Sequence, residues 1–150
     1  MRVVIQRVRE ASVSIDGNEI ASIGNGLMIL LGIEHDDTSE DIEWLCGKIT
    51  KLRIFDDENK VMNLSLIDTK GEALVVSQFT LHASIKKGNR PSYILAARPE
   101  IAIPLYEEFV STLSQSIGNQ VKTGEFGAMM DISLVNQGPV TILIDSKKRE

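Results

Sequence analysis

The chain has 150 residues, of which 43% are hydrophobic and 25% charged, and its formal net charge is −5. A chain of this length buries one core and leaves no room for a second domain, so we predict a single domain over residues 1–150. The acidic balance excludes a protein that coats nucleic acid, because binding of many phosphates requires clustered Lys and Arg. We therefore expect no DNA partner, and any contact with RNA must be local.

Signals for export, membrane insertion and disulfide formation are missing. No apolar run approaches the ~20 residues that span a bilayer, and Met1–Gln6 carries charge too early for a signal peptide. The single cysteine, Cys46, lies beside Leu45 and Ile49 at helical spacing, which favours a core position over a nucleophile. We expect a cytoplasmic protein with no membrane partner.

The chain begins with a pattern typical of antiparallel strands. Arg2–Val8 reads as a strand, and Ala11–Ile15 and Glu19–Ile23 alternate on either side of Asp16-Gly17-Asn18, which predicts a hairpin. Leu27–Leu31 is short and continuously apolar, as in a central strand covered on both faces.

Two helices follow at different points of the chain. Thr38 and Asp41 have the spacing of an N-cap pair and precede apolar residues at helical intervals, which predicts a helix over Ser39–Leu52. A second helix is expected from Pro99 to Ile117, because proline is tolerated in a first turn and Gly118-Asn119 can end it.

The remaining segments predict strands. Ala73–Val76 is a buried strand that leads into Ser77, and Met130–Val135 and Val140–Ile144 are strands joined by Asn136-Gln137-Gly138-Pro139. The expected architecture is an α/β domain of the α+β type, with predominantly antiparallel strands and two principal helices.

Metal and nucleotide chemistry have little support. The chain has two histidines, His35 and His82, and no pair of them at helical spacing, so no metal site is predicted. Gly24-Asn25-Gly26 lacks the third glycine of a dinucleotide fingerprint, and no Gly-Lys-Ser/Thr sequence occurs, so we expect no cofactor.

A polar run, Ser77-Gln78-Phe79-Thr80, emerges from the buried strand at residue 76 and is followed by His82. Polar groups at a buried strand end need partners, so a site can form there. Two interpretations remain open from the residues alone: Ser77 and Thr80 cap the strand, or a Ser/Thr–His pair forms a hydrolase site.

Two further features have a structural and a functional interpretation. Gly138-Pro139 is either a plain hairpin turn or a cis peptide with a specific role. The basic clusters Lys86-Lys87-Gly88-Asn89-Arg90 and Lys147-Lys148-Arg149 could meet RNA phosphates, although a solvated end is the better interpretation of the tail.

Six segments in order resemble the D-aminoacyl-tRNA deacylase family over nearly the whole chain. They are Met1–Val8, Leu30–Ile33, Leu52–Phe55, Val76–Leu81, Gly88–Ser92 and Leu134–Thr141. The resemblance implies a hydrolase of translation quality control and D-amino acid metabolism, which cleaves the ester of D-aminoacyl-tRNA and of glycyl-tRNA mischarged on tRNA-Ala.

The resemblance also implies an assembly. The expected enzyme is a homodimer with active sites at the subunit interface, each binding the acceptor end of an aminoacyl-tRNA. A Gly138-Pro139 element from the partner enters each pocket, where its main-chain carbonyls hold the substrate amino group and exclude an L side chain. Such a filter acts by exclusion and accepts many D-residues.

Residue roles follow from the same resemblance. Backbone N–H groups near Phe79 and Thr80 would polarise the ester carbonyl, with Gln78 beside them in the catalytic set and Ser77 binding substrate. Arg7 would brace the Gly-Pro element, Phe126 and Met130 would line the pocket, and Ala102 would border the adenine; ordinary core packing is the alternative for these last three. Lys86, Lys87 and Arg90 would contact tRNA phosphates.

One position departs from many relatives, which have Asp where this chain has Gln137. Two rival classes also remain: a dimeric RNA-end binding module without turnover, and a Thr/Ser–His esterase that would use His82.

Overall fold

A computed structural model describes residues 1–150 as a mixed β-sheet packed against helices. The elements in chain order are β1 (Arg2–Ile15), β2 (Asn18–Ile23), β3 (Gly26–Gly32), α1 (Ser39–Lys51), β4 (Phe55–Asp56), β5 (Met62–Leu64), α2 (Leu66–Thr69), β6 (Glu72–Ser77), a 3-10 helix (Phe79–His82), α3 (Pro99–Ile117), β7 (Lys122–Thr123) and β8 (Asp131–Asp145). The two long helices agree with the prediction, and α2 is an addition too short to show helical periodicity.

The main sheet has the strand order β2-β1-β3-β6-β7, with β8 paired to β1. Strand β1 runs antiparallel to β2, β3 and β8, whereas β3 with β6 and β6 with β7 are parallel pairs. The predicted α/β domain with predominantly antiparallel strands is confirmed. The two parallel pairs arise because α1 and α3 cross over between the strands that they connect.

Two segments predicted as separate strands are single long strands. The N-terminal pair of predicted strands is one strand, β1, and Asn136–Pro139 lies inside β8 instead of turning the chain. Both halves of β8 pair with β1 in the same direction, since Gln6 lies opposite Thr141 and Val8 opposite Asn136. Between those pairs Arg7 alone faces Gln137–Val140, so the hairpin interpretation of Gly138-Pro139 is wrong and the element is a bulge of an edge strand.

The sheet has a core on each face. Val3 and Ile5 of β1 join the larger cluster, which includes the buried faces of α1 and α3. Val8 and Val13 join a second cluster with Met28. Because successive side chains of a strand point to opposite faces, β1 contributes residues to the cores on both faces of the sheet.

The second face is covered only in part. Val4 and Gln6 point away from the helices, and their partners on β8 are Leu143 and Thr141. Leu143 remains 65% exposed. These four residues form an apolar and polar strip along β1 and the edge strand β8, called here the open face.

Helix α1 begins and packs as its sequence predicts. The Asp41 carboxylate accepts a hydrogen bond from the Thr38 N–H at 2.9 Å, which satisfies one of the free donors of the first turn. Cys46 is buried in the larger core, and burial raises the pKa of its thiol to about 12, so it is a protonated core residue at neutral pH. None of the helices has the length and hydropathy of a membrane-spanning segment.

The first turn of α1 also holds the C-terminal tail. Lys147 Nζ lies 2.9 Å from the Asp41 carboxylate, and Ser146 is buried beside it. Burial opposes ionisation of Asp41, but hydrogen bonds from Ser146, Lys147 and the Thr38 N–H outweigh it and hold the pKa of this carboxyl well below its ordinary value.

Replacement of Asp41 by Asn is expected to destabilise the protein near neutral pH by about 1–3 kcal/mol, because hydrogen bonds to a charged group are lost. The folded-state pKa is depressed, so the contribution is present above the unfolded carboxyl pKa of about 3.9 and is lost as pH falls toward the folded value. Urea unfolding at several pH values measures the difference, which should shrink below about pH 4. Glu43→Gln, on the exposed side of α1, is the control.

Candidate active site

The polar run Ser77–Leu81 lies where β6 leaves the sheet. Ser77 is the last residue of β6 and pairs with Leu31 of β3. The Gln78 N–H donates to the Leu31 carbonyl at 2.8 Å and so extends the parallel ladder by one bond. The chain then turns into the 3-10 helix, which fixes the run at the carboxyl end of two central strands.

The 3-10 helix leaves two backbone donors before its first internal bond. That bond runs from the Leu81 N–H to the Gln78 carbonyl at 3.3 Å, and the Ala83 N–H donates to Thr80 at 3.0 Å. The N–H groups of Phe79 and Thr80 precede these donors, and the first N–H groups of a helix have no intrahelical acceptor. Two adjacent donors are therefore available to an acceptor from outside the helix.

A cavity of about 480 Å³ opens beside this turn. Its volume is typical of small-molecule sites, which occupy roughly 300–1,000 Å³. It brings together six of the residues singled out by the sequence: Ser77, Gln78, Phe79, Ala102, Phe126 and Met130.

The far wall of the cavity is held from behind by an aromatic pair. The Phe126 ring packs edge-on against Tyr106 with 5.6 Å between centroids, and the Tyr106 hydroxyl donates to the Val75 carbonyl at 3.0 Å. Burial raises the pKa of Tyr106 to about 12, so its hydroxyl keeps its proton at neutral pH. Gly124 leaves the space that the Met130 side chain fills.

Thr80 and His82 lie outside the residues that line the cavity. The Thr80 hydroxyl is hydrogen-bonded to the side-chain amide of Gln78. His82 is buried, with Nδ1 2.8 Å from the Glu34 carboxylate and its ring against Gly32. His82 therefore packs the 3-10 helix onto the end of β3, which favours a structural role over the esterase interpretation. No group of three or more His, Cys, Asp or Glu side chains is arranged to hold a metal ion.

Gly138-Pro139 lies away from this cavity, on the exposed bulge of β8. Its peptide bond is cis, and Gly138 has φ +131°, a conformation that L side chains rarely adopt. Arg7 donates from Nε to the Gln137 carbonyl at 3.0 Å and from Nη1 to the Ile54 carbonyl at 2.7 Å.

The bulge is also held by a residue that the sequence did not single out. The Asn136 side chain accepts the Val140 N–H at 3.0 Å and donates to the Thr141 hydroxyl at 2.9 Å. Residue 137 takes part in these contacts only through its main-chain carbonyl, so Gln in place of Asp removes no side-chain bond here. One sequence signal could have identified Asn136: it has an amide side chain two residues before Gly138-Pro139, and Thr141 lies two residues after that pair.

The two basic clusters differ in structure. Lys86, Lys87 and Arg90 lie exposed in a loop closed by a backbone bridge between Ser84 and Ser92, and they form no ion pair. The C-terminal tail is not a free end: it folds back on α1, where the Arg149 guanidinium lies 4.7 Å from the Trp44 ring centroid. Lys147, Lys148 and Arg149 are all exposed, in agreement with a solvated tail, and contacts with Asp41 and Trp44 hold this tail on the surface of α1.

The family model and the relatives similar in sequence indicate the same family. The D-Tyr-tRNA(Tyr) deacylase family matches residues 4–145. A D-aminoacyl-tRNA deacylase of Bacteroides fragilis (strain YCH46) is 65% identical over 150 residues, covering 100% of both chains. That of Flavobacterium johnsoniae is 61% identical with the same coverage.

Solved structures give the same fold. A c-Myc DNA Unwinding Element Binding Protein superposes with a TM-score of 0.91 at 41% identity, covering 97% of this chain and 98% of that one. A structure described as that of a probable eukaryotic D-amino acid tRNA deacylase has a TM-score of 0.82 at 18% identity, covering 95% and 97%, and it speaks for the fold alone.

The fold, together with these relatives, defines the class: a single-domain protein with a mixed α/β fold that is a hydrolase of ester bonds. The chain belongs to the D-Tyr-tRNA(Tyr) deacylase family, whose curated members similar to it are D-aminoacyl-tRNA deacylases.

Proposed function

We propose that the protein hydrolyses D-aminoacyl-tRNA in the cytoplasm and releases free D-amino acid and tRNA, with the reaction at the cavity beside Ser77–Leu81. The observation that carries this proposal is the cavity walled by Ser77, Gln78 and Phe79 at the start of the 3-10 helix, because the first N–H groups of a helix have no intrahelical acceptor.

The proposed reaction uses backbone N–H groups, water and the substrate ribose, and it requires no side chain as a nucleophile. The carbonyl oxygen of the aminoacyl ester accepts the Phe79 and Thr80 N–H groups, which stabilise the negative charge that develops when water attacks the carbonyl carbon. The tetrahedral intermediate then collapses, the ester C–O bond breaks, and the ribose oxygen leaves with a proton taken from the attacking water. The neighbouring ribose hydroxyl assists by proximity.

Side chains of the turn hold it in place. Thr80 shares a hydrogen bond with Gln78, so its hydroxyl orients the turn instead of acting as the nucleophile. Ser77 and Phe126 then contact the aminoacyl group from opposite walls, and Ala102 borders the adenine.

Chirality is set by Gly138-Pro139 of the partner subunit. The element is exposed, projects from an edge strand and makes no contact with the cavity of its own chain. Arg7 and Asn136 hold the main chain on either side of it, at Gln137 and Val140. Its own main-chain carbonyls would accept the substrate amino group. An L side chain would meet this main chain, whereas a D side chain or the hydrogen of glycine would not, so glycyl-tRNA mischarged on tRNA-Ala is also a substrate.

Apolar groups around the cavity support the homodimer that this filter requires. Met129 is 91% exposed and Phe79 56% exposed, and both line the cavity. Large apolar groups that line a pocket and remain open to solvent mark a surface that a partner covers. The open face supplies a further apolar contact through Leu143.

Leu143→Asp is expected to convert the dimer to a monomer, because a carboxylate on the open face would have to be buried in the interface. Light scattering after size exclusion measures the mass. Val61→Asp, a change of the same kind on a 58% exposed residue outside the open face, should leave the mass unchanged. A dimer that survives Leu143→Asp would contradict this choice of interface.

The function is tested by measuring release of D-tyrosine, glycine and L-tyrosine from charged tRNA. Wild type should release the first two and spare the third. Pro139→Ala should raise hydrolysis of L-tyrosyl-tRNA at least ten-fold, since roughly 1.4 kcal/mol of lost exclusion has that effect. Pro104→Ala, on the exposed side of α3, should keep full discrimination.

Two results would overturn the assignment. Binding of a non-hydrolysable D-aminoacyl-adenosine without any turnover would indicate a binding module. Unchanged rejection of L-tyrosyl-tRNA by a folded, dimeric Pro139→Ala variant would remove the filter role.

A further inference from the structure

A second, larger groove lies on the other side of the Ser77–Leu81 turn, with a volume of about 810 Å³. It forms between the last turns of α1, the end of β8 and the returning C-terminal tail, and Leu143 at its rim makes it border the open face of the proposed dimer interface. Its lining includes four basic side chains, Arg2, Lys48, Lys148 and Arg149, against two acidic ones, Asp145 and Glu150. We call it the basic groove.

The basic excess is concentrated in lysines that have no partner. Arg2 is paired with Asp145 at 2.8 Å, and Arg149 lies 3.5 Å from Glu40. Lys48 and Lys148 form no ion pair, in a protein whose net charge is −5. Unpaired cations gathered in one concave surface of an acidic protein favour binding of a polyanion.

An aromatic side chain organises the groove. Arg149 lies 4.7 Å and Lys48 5.7 Å from the centroid of the half-buried Trp44 ring. Such cation–π contacts are weak at exposed sites, but they favour positions of both cations over the ring. The groove is therefore arranged before a ligand arrives.

The basic groove and the candidate active site lie at the same end of the sheet. Arg2 pairs with Asp145 of β8 and with Gly32 of β3, and Leu31 pairs with Ser77 of β6. Neighbouring strands are about 4.8 Å apart, so the row from Asp145 to Ser77 spans roughly 14 Å. Arg2 also donates to the Leu81 carbonyl at 3.0 Å, which ties the groove to the turn itself. If the aminoacylated end of an RNA strand occupies the cavity, the next few nucleotides of that strand are long enough to reach the basic groove.

We propose that the basic groove binds backbone phosphates of the tRNA acceptor stem, with Lys48 and Lys148 as the principal contacts and Arg149 placed by Trp44. The inference rests on the proposed function for the position of the reacting end. It assigns the tail a substrate-binding role and adds a second phosphate surface to the Lys86-Lys87-Arg90 loop.

The test compares two double variants of equal charge change in the intact protein. Lys48→Glu/Lys148→Glu reverses the charge of two lysines in the groove. Lys60→Glu/Lys122→Glu reverses the charge of two exposed lysines that do not line it. The measurement is the Kd of uncharged tRNA as a function of salt, which reports on the groove whether or not hydrolysis occurs. Lys48→Gln/Lys148→Gln repeats the test without charge reversal, in case the first variant fails to fold.

The groove variants should bind tRNA roughly ten-fold or more weakly than wild type at about 0.1 M salt, and the slope of log K against log salt should become shallower by about 1.5. They should hydrolyse D-tyrosyl-adenosine, which has no phosphate, at the wild-type rate. A slope equal to that of wild type, or an equal loss of affinity in the control, would overturn the proposal. Failure of wild type to hydrolyse D-tyrosyl-adenosine would count against the proposed function alone.

Discussion

A Phe79→Pro variant is expected to lose roughly 10²–10³-fold in kcat on D-tyrosyl-tRNA, because it removes one of the two N–H groups that stabilise the oxyanion. Proline fits the backbone at this position. Phe79 is the first residue of the 3-10 helix, where the φ of proline is suitable, and Gln78 before it has φ −145° and ψ 84°, outside the α region that a following proline disfavours. Single-turnover kinetics at saturating enzyme separate this loss from any change in substrate binding.

Phe79→Ala is the matched control, because it removes the same ring and keeps the N–H. It should retain kcat within about ten-fold, since the exposed ring is not at the reacting carbonyl. Equal losses in the two variants would assign the effect to the ring and contradict the role of the backbone donor. Unfolding curves of both proteins exclude loss of structure as the cause.

Gly26→Ala is expected to destabilise the fold by about 3 kcal/mol or more, because overpacking a position closed by main chain cannot be relieved by a side-chain rotation. Gly26 begins β3 and pairs with Glu72 of β6, and a Cβ at this position would overlap the Glu72 main chain. Relief requires separation of the two parallel strands that carry the candidate active site. Urea unfolding followed by circular dichroism measures the loss.

Gly47→Ala provides the opposite result in the same experiment. Gly47 lies on the exposed side of α1, and a Cβ there would meet nothing within 4 Å. The change should stabilise the protein by roughly 0.5–1 kcal/mol, because alanine loses less backbone freedom in a helix. Equal stabilities for the two variants would show that β3 and β6 can separate at Gly26 without loss of stability, which would contradict this prediction.

The helices and most strands could be predicted because their signals are local. The Thr38 and Asp41 pair marks the start of α1, and Pro99 and Gly118 mark the two ends of α3. The continuous apolar run in β3 agrees with its central place between β1 and β6. In each case a short segment contains the information that decides its own structure.

The bulge in β8 and the course of the tail could not be predicted, because both depend on partners distant in sequence. Asn136 to Pro139 has the composition of a tight turn, and only the pairing of both halves of β8 with β1 shows that the chain does not reverse. Likewise the Lys147 contact depends on Asp41, 106 residues earlier in the chain.

The candidate site was predicted mainly through the family resemblance. Residue pattern alone indicated a polar strand end at Ser77 but left its role open. The cavity residues Ala102, Phe126 and Met130 come from three parts of the chain, and nothing in their spacing relates them. Their roles, like the chiral filter, remain predictions that the experiments above test.

The bulge of β8 fixes more than the place of Gly138-Pro139. On one side of it Ile142 and Ile144 pack in the larger core, and on the other Ile132 and Leu134 pack in the second. Inserting or deleting one residue between them would invert the side-chain alternation of one half and turn polar residues such as Ser133 inward. A change of length by one residue is therefore closed to this element, and it can vary only in residue identity or by insertions and deletions that keep the alternation of both halves.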